Sequence, residues 1–230
     1  MRRLQMNKPS IVSESASAAK AVGVADARRA PTPLVGAVFE TGAAAAWQLP
    51  KDGVAEIAFA GRSNSGKSSV INALARQTRL AFSSRTPGRT QLINFFRLRG
   101  GALAADLPGY GYAAVPRALK KDWQEFLWSY VTTRTALVGL VLVVDARHGL
   151  RTMDEQLLGG FLPSGRPLLI LATKIDKLNQ AERKAAVVAI RNRLGEVFPE
   201  RASAVRVIPF SVPSRLGIEE ADATIAPWIA

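Results

Sequence analysis

The chain has 230 residues and a hydrophobic fraction of 48%, enough for one well-buried domain and too apolar for a chain disordered throughout. It has no cysteine, which excludes disulfides and thiolate metal sites and fits a reducing cytoplasm. The net charge is +13, and only nine of the 31 basic residues are lysines. Arginine's planar fork suits phosphate, so the charge points to a polyanionic partner, nucleic acid ahead of an anionic membrane; an arginine-rich proteome is the plainer source.

Residues 1–33 read as a flexible basic tail. Six bases (Arg2, Arg3, Lys8, Lys20, Arg28, Arg29) face two acids (Glu14, Asp26) without hydrophobic periodicity, and Pro31 and Pro33 close the segment. A transit peptide has a similar composition, but no apolar core marks a signal peptide. Residues 34–230 read as a single domain, opening with a lead-in over 34–50 that carries no assigned element.

From residue 54 onward strands and helices alternate. A strand over 54–60 precedes a helix from 67 to about 76. Stretches 92–98 and 102–105 flank Gly100 and Gly101 as a hairpin. A helix over 120–132 leads to 137–144, an apolar run rich in β-branched residues that reads as a strand buried on both faces. Broken by Gly139, this longest apolar run is too short to span a bilayer. Helix 152–161, strand 168–172, helix 180–197, strand 205–210 and helix 218–229 complete the series. The alternation predicts a three-layer α/β fold around a mostly parallel six-stranded sheet with one antiparallel edge strand.

Ligands of open α/β sheets bind beyond the carboxyl ends of the strands, and five loops expected there carry chemistry. The first matches G-x-x-x-x-G-K-[ST]: Gly61, Arg62, Ser63, Asn64, Ser65, Gly66, Lys67 and Ser68. Its backbone amides and the helix behind it suit a β-phosphate, Lys67 would reach the β- and γ-phosphates, and the Ser68 hydroxyl would ligate Mg²⁺. A plain strand–turn–helix is the bland alternative.

The second loop is Asp106, Leu107, Pro108 and Gly109. The acid would hold Mg²⁺ through water and the glycine amide would sense the γ-phosphate; alone, the four residues make an ordinary turn. The third is Thr173, Lys174, Ile175 and Asp176. The Asp176 carboxylate can accept from guanine N1–H and N2–H₂, a donor pair adenine lacks. Lys174 can lay its methylene stem over the base. Thr173 stands where asparagine is commoner and can still make a hydroxyl bond to the loop, so guanine preference is expected to be retained. The fourth is Phe210, Ser211 and Val212, whose amides could meet guanine O6. In the fifth, Thr86 and Thr90 compete to close over Mg²⁺ and the γ-phosphate, with Thr90 preferred because a strand starts just after it. Gly88, Arg89, Gln91 and Leu92 complete that nucleotide-facing segment.

Together the phrases EIAFAGRSNSGKSSVINAL, TPGRTQLINFF, DLPGYGYA, LVVDARHGL and TKIDKL, spanning about residues 57–178, resemble the translation-factor-related P-loop GTPases with a Ras-like G domain. More narrowly they resemble the EngB/YsxC family of ribosome-biogenesis GTP-binding proteins, in the TrmE-Era-EngA-YihA-Septin-like class. The resemblance implies Mg²⁺-dependent hydrolysis of GTP to GDP at a slow rate, Ser68 and Thr90 as Mg²⁺ ligands, assembly of the large ribosomal subunit and a role in septation. It implies a cytoplasmic monomer whose partner is that subunit or its precursor, through ribosomal RNA and protein. The longer N-terminal tail and the loose Phe210–Val212 loop depart from the family pattern.

In many GTPases a glutamine after the D-x-x-G acid loop orients the attacking water; here Tyr110 occupies that position. By resemblance to GTPases with N-x-G-K-S, Asn64 would bind K⁺ and offset transition-state charge. Two other functions compete: a septum-associated nucleotide-regulated scaffold, and a P-loop ATPase or kinase. His148 reads as a surface turn residue. Trp123, Phe126, Leu127 and Tyr130 recur at helical spacing as core, and Glu219, Glu220 and Asp222 suit the first turn of the last helix. Arg191 and Arg193 are the candidate RNA contacts.

Overall fold

A computed structural model describes residues 32–82, 92–111 and 117–230, with side chains over 117–124 excluded. Seven strands form one sheet in the order β1-β3-β4-β2-β5-β6-β7. They are β1 (Val38–Ala43), β2 (Glu56–Gly61), β3 (Ile93–Arg97), β4 (Leu103–Asp106), β5 (Leu137–Asp145), β6 (Leu168–Thr173) and β7 (Arg206–Pro209). The helices are α1 (Lys67–Ala75), α2 (Arg117–Thr133), α3 (Thr152–Phe161), α4 (Gln180–Val197) and α5 (Ile218–Ile225).

β2 pairs in parallel with β4 and β5, and β6 with β5 and β7. The β3–β4 hairpin is antiparallel, as its two glycines predict. The seventh strand comes from the lead-in. β1 pairs antiparallel with β3 and covers it, so the reversed strand lies one place inside the edge. It escapes a periodicity reading because Val38, Phe39 and Glu40 are all exposed and a bulge between Phe39 and Thr41 breaks the alternation.

Alternate residues of β5 face opposite layers. Leu140, Leu142 and Val144 pack with Leu127, Tyr130, Leu158, Phe161 and Leu194 of α2, α3 and α4. Val141 and Val143 pack with Val70, Ile71 and Leu74 of α1 and Ile218, Ala221 and Ile225 of α5. A strand covered on both faces needs an unbroken apolar run, and β5 has one from Leu140 to Val144. At Gly139 the Trp228 ring lies where a side chain would be, 2.3 Å from an ideal Cβ. The last helix therefore ends at Ile225, short of the expected 229: Pro227 starts a 3-10 turn over Ala226–Trp228 that drops the indole onto β5.

At the end of the sheet opposite the strand carboxyl termini, Glu56 is fully buried. Tyr130 Oη donates to its Oε2 over 2.8 Å, and Arg134 Nε donates to the same oxygen over 3.1 Å. Arg166 donates to the carbonyls of Val131, Arg134 and Leu137 at 2.8, 2.9 and 2.7 Å. Val131 and Arg134 lie at the end of α2 and Leu137 begins β5, so these bonds anchor the end of α2 on the sheet.

Candidate functional site

The first loop leaves β2 at Gly61, where a Cβ would stand 2.6 Å from both Ser65 Oγ and the Val143 carbonyl, so only glycine fits. The turn needs two left-handed residues, Asn64 at φ +66° and Gly66 at φ +98°, before α1 begins at Lys67. Asparagine tolerates that region better than most side chains, which gives Asn64 a backbone reason to be there. Ser65 Oγ is buried without a hydrogen-bond partner among the described residues.

The acid loop closes onto this turn. Ser63 N–H donates to the Tyr110 carbonyl over 2.9 Å, and Ser63 Oγ donates to the Gly109 carbonyl over 3.2 Å. A Cβ on Gly109 would stand 3.0 Å from Ser63 Oγ and 3.2 Å from its backbone, so the two loops approach closely here. Lys67 forms an ion pair with Asp106 at the end of β4. Burial pushes the Asp106 carboxyl up, while the Lys67 ammonium pulls it down. Leu107 is buried in the core rather than at the ligand surface.

Tyr110 lies where a water-orienting glutamine stands in many GTPases, but its ring is buried and its hydroxyl donates to Asp154 Oδ1 over 2.6 Å. Burial, followed by the neighbouring carboxylate, raises the phenol well above its ordinary value. The other oxygen of Asp154 accepts from Arg151 N–H over 2.9 Å at the start of α3. Tyr110 is thus tied to the helix layer and cannot orient water.

On the other side, Thr173 Oγ1 donates to the Ser65 carbonyl over 2.6 Å. The threonine therefore does bond the phosphate loop. Lys174, left-handed at φ +57°, donates through Nζ to the Asn64 carbonyl over 2.6 Å. The same Nζ lies 3.0 Å from Asp145 Oδ2. Burial alone would raise the Asp145 carboxyl, but bonds from Arg147 and Lys174 hold it well below the usual range. Ile175 is buried beneath the loop.

The fourth loop works differently from its sequence reading. Ser211 N–H is spent on the Leu216 carbonyl at 3.1 Å and Phe210 N–H on that of Ala172 at 2.8 Å. Phe210 is a core residue. Ser211 instead acts through Oγ, which donates to Asp176 Oδ1 over 2.8 Å and is the main cause of that carboxyl's lowered pKa. Val212 is exposed, with no backbone partner for its amide among the described residues.

Thr86, Gly88, Arg89, Thr90 and Gln91 lie outside the described residues, while Leu92 is exposed beside β3. His148 is exposed, as expected of a turn. Asp222 is not a surface acid of the first turn of α5: it is buried, with neither carboxylate oxygen bonded among the described residues. Arg193 is committed to Glu155 and Glu196, and Arg191 Nη2 donates to the Val207 carbonyl over 3.4 Å. Sequence reading passed over Asp145 and Asp154; the rule that picked the other loops, an acid just past a buried strand, would have found Asp145.

Ser68 follows Lys67 in the chain and Asp106 is the ion-pair partner of Lys67; the two offer only hard oxygens, a donor set that fits Mg²⁺ completed by phosphate oxygens and water. Among the described residues no group of three or more His, Cys, Asp or Glu could hold a metal without such help. None of the described helices is long and apolar enough to cross a membrane.

A phosphate loop, an acid-glycine loop closed against it and a T-K-x-D loop bonded to it define a P-loop GTPase. A family model described as "50S ribosome-binding GTPase" matches residues 56–174. The chain is 49% identical to "Probable GTP-binding protein EngB" of Azoarcus sp. (strain BH72) over 84% of its own length and 91% of that protein's. It is 46% identical to the protein of that name from Bordetella pertussis, over 84% and 95%. The fold matches the crystal structure of a probable GTP-binding protein engB with TM-score 0.58 at 22% identity, covering 76% of this chain and 98% of that one. The chain belongs to the EngB family of GTP-binding proteins.

Proposed function

We propose that this GTPase acts as an assembly factor for the large ribosomal subunit, docking in its GTP form and leaving after hydrolysis. The match to a family model described as 50S ribosome-binding carries this reading. The net charge of +13 supports it, since ribosomal RNA is the polyanion such a surface attracts. The protein works as a monomer in the bacterial cytoplasm. Co-sedimentation tests the reading: the GTP-analogue form should pellet with large-subunit particles and the GDP form should not. Retention on a septal partner without pelleting would favour the scaffold instead.

Lys67 and the loop amides that no carbonyl takes among the described residues, those of Asn64, Gly66 and Lys67, hold the phosphates, and Asp176, braced by Ser211, reads the guanine edge. Ser68, Asp106 through water, and Thr90 would hold Mg²⁺, which neutralises charge on the β- and γ-phosphate oxygens when bound. With Tyr110 turned into the core, no described side chain after Gly109 orients water, which supports slow intrinsic hydrolysis. The Asn64 side chain makes no hydrogen bond among the described residues and is exposed on the loop, free to ligate K⁺. Turnover should therefore rise in KCl over NaCl at matched ionic strength; equal rates would remove this role.

A further inference from the structure

We propose that Asp145 is a positioning residue for guanine-nucleotide binding, acting through Lys174 to join the base-reading loop to the phosphate loop at Asn64. This rests on the reading of residues 173–176 as the base-reading loop and goes beyond it, because it makes the two halves of the nucleotide site one mechanical unit.

β5 and β6 are parallel neighbours with Asp145 opposite Thr173, and Ala146 N–H donates to the Thr173 carbonyl over 2.9 Å. The sheet therefore sets the acid beside the residue preceding Lys174. Arg147 then fixes the carboxylate plane. Its backbone N–H and Nε donate to Oδ1 at 3.1 and 2.9 Å, and its Nη2 donates to Oδ2 at 2.6 Å. The remaining approach to Oδ2 is taken by Lys174 Nζ at 3.0 Å.

Lys174 is the only described side chain that bonds Asn64, through the carbonyl at 2.6 Å. A lysine on a flexible stem samples many rotamers. An oriented carboxylate on one side and a fixed carbonyl on the other select one of them. The stem is then presented as a flat apolar rail for the base, and the left-handed turn at Asn64 is held from behind. Asp145 contacts the nucleotide only by way of Lys174.

Binding of fluorescent GDP to the full chain tests this in a double-mutant cycle of Asp145→Asn and Lys174→Met, with thermal unfolding of each ligand-free variant alongside. Methionine keeps the stem and removes the head. Asp145→Asn should weaken GDP binding about tenfold when Lys174 is present, the scale of one charge-assisted bond. In the Lys174→Met background it should change binding less than about twofold, since coupled residues are not additive. The loss should appear more in KM than in kcat, because it falls on uniform binding.

Equal losses in both backgrounds, or none in either, would overturn the proposal. Lys174→Met weakening GDP while Asp145→Asn does not would sink the positioning role alone. No effect of Lys174→Met would remove the base-reading assignment of Lys174 and this inference with it. Should Asp145→Asn fail to fold, Asp145→Glu keeps the charge but displaces the carboxylate, and the same background dependence is expected of it.

Discussion

The hydroxyl of Tyr110 reaches Asp154 Oδ1 at 2.6 Å, with both side chains buried, so the residue following Gly109 belongs to the helix layer rather than to the phosphates. Tyr110→Phe removes that donor and leaves a buried carboxylate short of one partner. The variant should lose about 1–3 kcal/mol in urea unfolding while single-turnover GTP hydrolysis stays within about twofold. A hydrolysis loss beyond tenfold without destabilisation would place the phenol in catalysis.

Asp222 makes stability depend on pH. Its buried carboxylate has no hydrogen-bond partner among the described residues; burial pushes its pKa up to about 7, with Arg76 opposing the rise and Glu219 adding to it. A raised carboxyl costs nothing below its unfolded value, 3.8. The cost grows as pH climbs toward 7 and is constant above, because the unfolded chain ionises first. Asp222→Leu should therefore be more stable than the parent at pH 8, with the gap closing toward pH 4. Urea midpoints at pH 4.5, 6 and 8 measure it; a gap independent of pH would show that packing, not ionisation, sets it.

Ser211→Ala removes the donor that orients Asp176. Affinity for GDP should fall about fivefold, the worth of one ordinary hydrogen bond, and the loss should shrink for inosine diphosphate, which lacks the N2 amine. Competition titrations with both nucleotides check this. An equal loss for the two would mean that Ser211 supports the loop without aiming the carboxylate.

Glu56 shows the opposite use of a buried acid. Arg134→Ala leaves it with the Tyr130 hydroxyl and no cation, and should cost about 3–5 kcal/mol. The nucleotide loops sit at the other end of β2, so GDP affinity measured below the melting transition should be unchanged.

Much of the site was legible because its chemistry is local. Gly61, Gly66, Lys67 and Ser68 are four residues within eight positions, and Asp106, Gly109, Lys174 and Asp176 each follow an apolar run at a fixed offset. Most elements were legible for the same reason: helices α3 and α4 match their expected bounds, and the β5 run announces burial on both faces. β1 was not, since an exposed, bulged edge strand has neither alternation nor a continuous apolar run.

What pairs with what is a different kind of information. Sequence by itself determined the layer order of an α/β fold, a phosphate-binding turn and a guanine-type acid, because periodicity and glycine placement act over a few residues. Only the tertiary structure decided that Tyr110 turns to Asp154, that Asp222 is buried unpaired, that Ser211 braces Asp176, and that Asp145 holds Lys174 against Asn64. Those partners stand 44, 35, 29 and 110 positions apart in the four bonded pairs. Sheet register and helix packing bring them together, and neither leaves a mark on the local pattern that a single chain displays.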